Sequence, residues 1–330
     1  MKKISLLFVG FLLVLFLGGC AAGAPIVPFV SDLPWGTPDL INERFEYSVS
    51  ITGATTIADV SPELATGHFY QTLQGEGHRL DNQFRVTTEL VINWNDHAQN
   101  AESRNLTDTI TSTVVFSRTG LLPISSEKNV DLAPRFTSDN QFMPNHSYHF
   151  TADYVQNTSS IRFGKDRYGN WLAAARTIPI ERGAVYDNEQ LFFLLRAFNN
   201  MQQGTAINLL VNNVAENYVR NSHAPLSLNA SVATQMVTRR VDALRPFTAY
   251  YSSAEPLYID CLVVNLWLNE TPSGPPHTFF ITEPGREFYR RGSAIRTTLL
   301  VVGYQYNVYN IDRSLRYSIN YTLTYYNSNF

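Results

Sequence analysis

Strict alternation of apolar and polar residues constrains the fold of this chain more than any other feature. The clearest example lies near its end, in RYSINYTLTYYNSNF (316–330). Successive side chains of a β-strand point to opposite faces of the sheet, so a period of two predicts a strand with one apolar face. Whether that face contacts membrane lipid, a protein core or a bound ligand is the functional question. The apolar members of the alternation are Tyr317, Ile319, Tyr321, Leu323 and Tyr325.

The same alternation recurs along most of the chain, and clusters of Gly, Asn, Asp and Pro separate one stretch from the next. LLVVGYQYNVYN (299–310) and LRYSINYTLTYY (315–326) flank IDRS and predict a hairpin. We therefore expect a mainly β fold. The other alternating stretches are FEYSVSI (45–51), FRVTTELVINW (84–94), DTITSTVVF (108–116), SYHFTADYV (147–155) and INLLV (207–211).

One segment, VYDNEQLFFLLRAF (185–198), breaks the pattern. Asp187 followed three residues later by Gln190 is typical of a capping box at the start of a helix. The run 191–195 is apolar on every side, which indicates a buried helix. We predict a curved antiparallel sheet, or an incomplete barrel, packed around one principal helix near 187–198.

The first twenty residues, MKKISLLFVGFLLVLFLGGC, predict export. Two lysines precede a short apolar run, as in a secretory signal peptide, and LGGC resembles the bacterial lipobox. That resemblance implies cleavage before Cys20 and acylation of its thiol. We expect a lipoprotein signal peptide at 1–19 and a domain held on the extracytoplasmic side of the cell membrane or outer membrane through acylated Cys20.

The rest of the chain divides into a tether and a large domain. Four prolines between 20 and 42 predict an extended, Pro-rich tether. Residues 43–330 are expected to form a β-rich envelope domain, either as one unit or as two β halves meeting near 179–205. With 25 basic and 28 acidic residues the net charge is −3, so the composition shows no surface for nucleic acid.

Motifs for catalysis or metal binding are weak. Ser125 and Lys128 match S-x-x-K, and SDN follows at 138–140, as in penicillin-binding serine enzymes. Those enzymes place the serine at the start of a helix, whereas this stretch has the pattern of a strand and a turn. His146 and His149 would face opposite ways on a strand. Cys261 is the only cysteine besides Cys20, and we expect it to be buried. We predict no catalytic residues, metal ligands or cofactors.

The layout as a whole resembles a known family. A β-rich chain interrupted by VYDNEQLFFLLRAF, then PLYIDCLVVNLWLNETPSGPP (256–276) and a terminal hairpin, is similar to β-rich bacterial envelope lipoproteins of unknown function. That family is distantly similar to the LolA and LolB half-barrel carriers. The resemblance spans Phe45 to Tyr326 and implies an exported, lipidated, incomplete barrel around a helix, with no established catalytic residues.

These observations predict a membrane-anchored, non-enzymatic lipoprotein that binds a lipid or other amphipathic ligand in the half-barrel. Tyr317, Tyr321 and Tyr325 are the candidate ligand wall, because tyrosine combines an apolar ring with a polar hydroxyl. The alternatives are a structural or assembly partner in an envelope complex without a small ligand and, third, a hydrolase. An outer-membrane barrel is disfavoured, because LYIDCLVVNLWL (257–268) is apolar on both faces.

Overall fold

Twenty β-strands and one short helical segment make up the part of the chain that the structure describes. This computed structural model describes residues 42–54, 62–76, 83–95, 107–117, 120–133, 135–136, 142–143, 145–166, 168–180, 185–197, 204, 206–212, 226–241, 257–268, 277–282, 287–290, 293–296, 300–309 and 315–328. The strands are β1 (Asn42–Gly53), β2 (Glu63–Glu76), β3 (Gln83–Trp94), β4 (Thr107–Ser117), β5 (Pro123–Asp131), β6 (Arg135–Phe136), β7 (Phe142–Met143), β8 (Asn145–Asp153), β9 (Thr158–Lys165), β10 (Arg176–Pro179), β11 (Tyr186–Asp187), β12 (Ala206–Asn212), β13 (Leu226–Val232), β14 (Val237–Val241), β15 (Leu257–Leu268), β16 (His277–Thr282), β17 (Glu287–Arg290), β18 (Ser293–Arg296), β19 (Val301–Tyr309) and β20 (Leu315–Ser328).

One sheet of 16 strands dominates the fold, in the order β10-β9-β8-β5-β4-β3-β2-β1-β20-β19-β16-β15-β13-β12-β11, with β14 also paired to β15. Its pairings are antiparallel except for β11 with β12, which is parallel. β6–β7 and β17–β18 form two separate ribbons. The predicted β19–β20 hairpin pairing is confirmed.

The order of the strands requires the sheet to curve. Its two edges, β10 and β11, are consecutive in the chain, and only residues 180–185 connect them. Such a link spans at most about 24 Å, whereas a flat sheet along this path would be roughly 65 Å wide. The edges therefore approach each other without pairing, and the predicted curved, open antiparallel sheet is confirmed.

The helical segment 188–197 lies on the concave side of this sheet. It consists of a 3-10 turn (Asn188–Gln190), a single α turn (Leu191–Leu194) and a second 3-10 turn (Leu195–Ala197). The predicted capping box at Asp187 is confirmed: its carboxylate accepts from the Glu189 N–H at 3.0 Å, and its own N–H donates to the Gln190 side chain at 3.0 Å. The segment contains only one α turn, so it is less regular than the principal helix that the sequence predicts near 187–198. It begins where the sequence predicts.

The main apolar core forms around this segment. Phe193, Leu194 and Leu195 are buried, and the residues that pack with them come from strands far apart in the sheet, such as Phe116 of β4 and Val211 of β12. Contact with both halves of the sheet is possible because the sheet wraps around the segment. Burial of this apolar surface provides the main stabilisation of the fold.

Strand β15 is buried on both faces from Cys261 to Val264, as its sequence predicts, whereas Tyr258 near its start is 60% exposed. Ile259, Cys261 and Val263 belong to one apolar cluster, while Leu262 and Val264 belong to the core around the helical segment. Cys261 is a buried free cysteine, which confirms the prediction for it.

A buried ion pair joins the end of the helical segment to β1. The Arg196 guanidinium donates two hydrogen bonds to the Glu43 carboxylate, at 2.8 and 3.0 Å, and both side chains are almost completely buried. The Tyr326 hydroxyl donates to the same carboxylate at 2.8 Å, and the guanidinium lies 4.8 Å from the centre of the Phe45 ring. These contacts fix the segment against the two central strands.

A β-bulge changes the alternation of the terminal strand. Tyr47 pairs with Leu323, but Glu46 pairs with Tyr325, so Thr324 is an extra residue. Beyond this bulge Tyr326, not Tyr325, points into the core and is buried. Placing Tyr325 on the same face as Tyr321 was therefore wrong, because one inserted residue reverses the orientation of the side chains that follow it.

Several sequence predictions concern the start of the chain or a motif outside the core. The predicted signal peptide, Cys20 and the tether up to residue 41 lie outside the described residues. Ser125 and Lys128 lie on strand β5, so S-x-x-K does not open a helix here. No helix within the described ranges is both long and apolar enough to cross a membrane.

Candidate ligand-binding cavity

A cavity of about 310 Å³ lies between the start of the helical segment and the concave face of the sheet. Its volume is roughly ten times that of one water molecule in the liquid and is at the lower end of the range for small-molecule sites. The space therefore suits one small or single-chain molecule. The lining residues are Phe69, Thr88, Leu90, Ile110, Lys128, Asn188, Glu189, Leu191, Phe192, Val211, Leu266, His277, Phe279, Tyr304 and Tyr321.

Aromatic rings form one side of the cavity. We call Phe69, Phe192, Phe279, Tyr304 and Tyr321 the aromatic wall. Phe192 is at its centre, and its ring centroid lies 5.2 to 6.2 Å from those of the other four. Rings at these separations, in tilted or edge-on arrangements, attract one another beyond the effect of burial alone. The wall offers a continuous apolar surface with the hydroxyls of two tyrosines.

Polar side chains cross four neighbouring strands on the other side. We call Gln71, Thr88, Ser112 and Lys128 the polar stripe. Each lies directly opposite the next: Gln71 of β2 with Thr88 of β3, Thr88 with Ser112 of β4, and Ser112 with Lys128 of β5. Directly opposed residues of paired strands lie on the same face of the sheet. The stripe is therefore a line of hydrogen-bonding groups across an otherwise apolar concave surface.

The cationic end of the stripe is paired with an acidic residue of the helical segment. Lys128 donates to the Glu189 carboxylate, and the two side chains are only 15% and 17% exposed. Glu189 also accepts from Asn188 Nδ2 at 3.0 Å and from the Ser112 hydroxyl at 3.4 Å. Burial disfavours the charged lysine, but the Glu189 carboxylate outweighs it and raises the pKa of Lys128. Lys128 is thus a cation at neutral pH, opposite a carboxylate.

One donor of the stripe has no partner within the described part of the chain. Gln71 is 4% exposed, and its side-chain Nε2 makes no hydrogen bond there. A buried amide without a partner costs about 1–3 kcal/mol. Gln71 lies on the same face as two cavity-lining neighbours, Phe69 two residues before it and Thr88 opposite it. Gln71 itself is not among the lining residues, so this donor lies behind the cavity wall rather than on its surface.

His277 adds a buried neutral ring beside the aromatic wall. Its Nδ1 lies 2.6 Å from the Tyr304 hydroxyl, and its ring stacks on Tyr306 with centroids 4.0 Å apart. Burial disfavours the charged imidazolium and lowers the pKa of His277 to about 4. Burial likewise raises the pKa of Tyr304 and of Tyr321, so both hydroxyls stay protonated.

The low pKa of His277 predicts that the free energy of unfolding decreases in mild acid. The unfolded chain binds a proton near pH 6.5, but the folded chain only near pH 4, so unfolding takes up a proton between these values. The free energy of unfolding should fall by up to about 3 kcal/mol from pH 6.5 to pH 4, at about 1.4 kcal/mol per pKa unit. Denaturant titrations across this range measure it.

The matched control is the exposed His149, whose imidazole lies 3.1 Å from Glu127. His277→Gln should remove most of the decrease, whereas His149→Gln should retain it. An equal decrease in His277→Gln and in the parent protein would contradict the assignment.

The structure separates the three tyrosines of the predicted ligand wall. Tyr321 lines the cavity. Tyr317 packs instead against an apolar cluster of Ile51, Ala65 and Ile92. Tyr325 follows the bulge and lies on the opposite face from Tyr321. A role in ligand binding stays a prediction for these tyrosines. Tyr321 is the one of the three that lines the cavity.

Sequence reasoning did not assign a role in the site to Lys128, Glu189, His277 or Tyr304. For Lys128 a signal was present: it alternates with buried Ser126 and Val130, so it is a charge on the inward face of β5. Glu189 is brought to it only by the fold. No group of three or more His, Cys, Asp or Glu residues in the described ranges could hold a metal ion.

The fold and the cavity define a class: mainly β proteins whose open, curved antiparallel sheet surrounds a short helical segment. Comparison with known protein families and with curated protein sequences finds no match for the chain. Among solved structures, it is similar to a β-barrel-like protein of a domain of unknown function, DUF1849, from Brucella abortus. The sequence identity is 9% and the TM-score 0.43, over 88% of this chain and 98% of that chain.

Proposed function

We propose that this protein is a membrane-anchored, non-enzymatic envelope lipoprotein that binds one amphipathic molecule in its cavity. The observation that carries the proposal is the two-sided lining, with the aromatic wall on one side and Thr88, Lys128 and Glu189 on the other. An apolar body would pack on the rings, while the polar head would meet these polar side chains. This use of a half-barrel also agrees with the family that the sequence resembles, which is distantly similar to the LolA and LolB carriers.

The electrostatics of the lining favour binding over catalysis. A general acid or base works best when its pKa is near the working pH. Here the pKa values are shifted away from neutral pH. Burial lowers the pKa of His277 to about 4 and raises the pKa of Tyr304 and of Tyr321. Glu189 overcomes the effect of burial and raises the pKa of Lys128. These groups keep a fixed protonation state at neutral pH, which suits a site that holds a ligand unchanged.

Filling the cavity should abolish binding. Ile110 lines the cavity and is half-buried, so Ile110→Trp would place an indole in the ligand space. We expect the affinity for a fluorescent single-chain amphiphile to fall at least about tenfold, which corresponds to about 1.4 kcal/mol. Fluorescence titration of the purified protein measures this.

Leu210→Trp provides the control, because Leu210 is 43% exposed and is not among the residues that line the cavity. It adds the same indole outside the ligand space and should leave binding unchanged. Equal binding by both variants and the parent protein would place the ligand elsewhere.

Anchoring depends on the cysteine of the lipobox-like motif. Cys20→Ser removes the thiol that would be acylated, so the variant should accumulate as an unprocessed precursor without lipid. Metabolic labelling with a clickable fatty acid, followed by gel analysis, tests this. Cys261→Ser is the matched control and should retain full labelling, because Cys261 is buried. Undiminished labelling of Cys20→Ser would refute lipidation at this residue.

A second candidate function, assembly with an envelope partner, is favoured by one surface feature. In the turn after β9, Tyr168 and Leu172 are 72% and 58% exposed. The turn is ordered by Asp166, whose carboxylate accepts from the N–H groups of Tyr168 and Asn170 at 2.8 and 2.9 Å. Exposed apolar side chains on an ordered turn can serve as a contact site. This candidate gains support if Ile110→Trp leaves the protein fully functional in cells.

A further inference from the structure

Resting on the proposed function, we infer that the polar head of the ligand is uncharged, as in a glycerol ester. It would lie against the Lys128–Glu189 pair and the Thr88 hydroxyl, which belong to residues that line the cavity. A carboxylate, phosphate or quaternary ammonium head fits this arrangement less well.

The first step concerns charge. Lys128 and Glu189 carry one charge each and are paired inside the cavity. Besides Lys128, His277 is the other lining residue that could become a cation, and it is held neutral by burial. An anionic head would have to displace Glu189 from Lys128, and a cationic head would have to displace Lys128 from Glu189. Either exchange leaves a buried charge without its partner, which is strongly unfavourable. A neutral head leaves the pair intact.

The surroundings of the pair reinforce this step. Glu189 is held by Asn188 and Ser112 as well as by Lys128. It is also attached to the capped start of the helical segment, where Asp187 binds its backbone N–H. Moving the carboxylate aside would break several hydrogen bonds at once. The pair therefore acts as a fixed dipole rather than as a free cation that awaits an anion.

The second step concerns hydrogen bonding. Besides the charged pair, the lining contains neutral polar side chains, among them Thr88, Asn188 and Tyr304. Hydroxyl and amide groups both donate and accept hydrogen bonds, so they can bond to the hydroxyl and ester oxygens of a neutral head. A trimethylammonium head has no N–H and no lone pair, so it could bond to none of them.

The size of the cavity sets the third limit. About 310 Å³ accommodates one chain and a compact head, so a single-chain ester fits better than a lipid with two long chains. Together the three steps specify a small, neutral amphiphile whose head forms hydrogen bonds.

The test uses full-length protein in native membranes and three photoreactive probes with the same diazirine-bearing decanoyl or decyl tail. The heads are a glycerol ester, a carboxylate and a trimethylammonium group. Cross-linked peptides are identified by mass spectrometry, and labelling of peptides that contain cavity residues is compared between probes. We expect the glycerol ester to label the parent protein about tenfold more than either charged probe, since an unpaired buried charge costs at least one such factor.

Charge variants should change the preference in opposite directions. Glu189→Gln leaves Lys128 without its carboxylate and should shift labelling toward the carboxylate probe. Lys128→Met leaves Glu189 without its cation and should shift labelling toward the ammonium probe. Thr88→Val removes a hydroxyl from a residue that lines the cavity and should reduce labelling by the glycerol ester, while Thr87→Val, at an exposed position of the same strand, should not. Thermal melting of each variant checks that it folds.

The outcomes separate the two proposals. If no probe labels cavity peptides above the level in Ile110→Trp, the proposed function itself fails. If a charged probe labels the parent protein as strongly as the glycerol ester, binding stands and the uncharged head is refuted. This comparison within the parent protein decides the question even if a charge variant does not fold.

Discussion

Phe193→Ala is expected to reduce the free energy of unfolding by about 3–5 kcal/mol, the usual cost of truncating a buried phenylalanine. Phe193 is 1% exposed at the centre of the main core. Its ring packs against Phe116 and Phe84, with centroids 5.0 and 6.4 Å apart. Alanine would leave a cavity that neighbours from separate strands cannot close. Denaturant titration of the purified protein measures the loss.

The control for this prediction is Tyr168→Ala, which removes an aromatic ring that is 72% exposed. It should change stability by less than about 0.5 kcal/mol, as ordinary surface substitutions do. A comparably small effect of Phe193→Ala would mean that the helical segment does not organise the core.

Arg196→Met should cost about 3–5 kcal/mol, because it leaves the Glu43 carboxylate buried without its cation. Glu43 is completely buried, and the guanidinium provides two of its hydrogen bonds. Methionine retains much of the apolar length of arginine, so loss of charge pairing is the main change. Chemical denaturation at neutral pH is the measurement.

A double variant separates the charge from the packing. Glu43→Gln combined with Arg196→Met removes both charges and keeps an acceptor for the Tyr326 hydroxyl, which bonds Glu43 at 2.8 Å. We expect it to be more stable than Arg196→Met alone by about 2 kcal/mol. A double variant that is no more stable than Arg196→Met would contradict this expectation, and its stability relative to the parent protein measures what the pair contributes after the cost of burying it.

Local sequence patterns were sufficient for the class of fold and for part of its strands. Alternation located seven of the twenty strands, because the buried face of each imposes a period of two on its residues. The capping box located the start of the helical segment at Asp187, because its hydrogen bonds involve residues only two or three positions away. Cys261 could be placed in the core because β15 is apolar on both faces.

The bulge at Thr324 shows where local patterns fail. Tyr325 and Tyr326 are both tyrosines, so the sequence allows either to face the core. The choice depends on the register with β1, where Phe45 pairs with Tyr326. Register is set by a strand more than 270 residues away, as the Ser48–Thr322 contact illustrates, and no period within β20 encodes it.

The cavity could not be predicted for the same reason. The polar stripe takes one residue from each of four strands, and only the register between these strands brings the four residues into one line. Glu189 reaches Lys128 across 61 residues of sequence. Each residue alone looks like an ordinary polar position in a β-strand or at a helix start. Only Lys128 is unusual within its own strand, because it places a charge on the inward face.

The central position of β1 and β20 also has a consequence for the order of folding. These strands pair side by side in the middle of the sheet, although the Glu43–Tyr326 contact joins residues 283 positions apart. Contacts this distant require closure of a very long loop and slow the folding of a domain. In the proposed export of the chain, β1 can pair with β2 once both have crossed the membrane, but its other edge has no partner until β20 has followed. Until then the chain carries an unsatisfied strand edge, and a chaperone outside the cytoplasm that covers this edge would prevent aggregation.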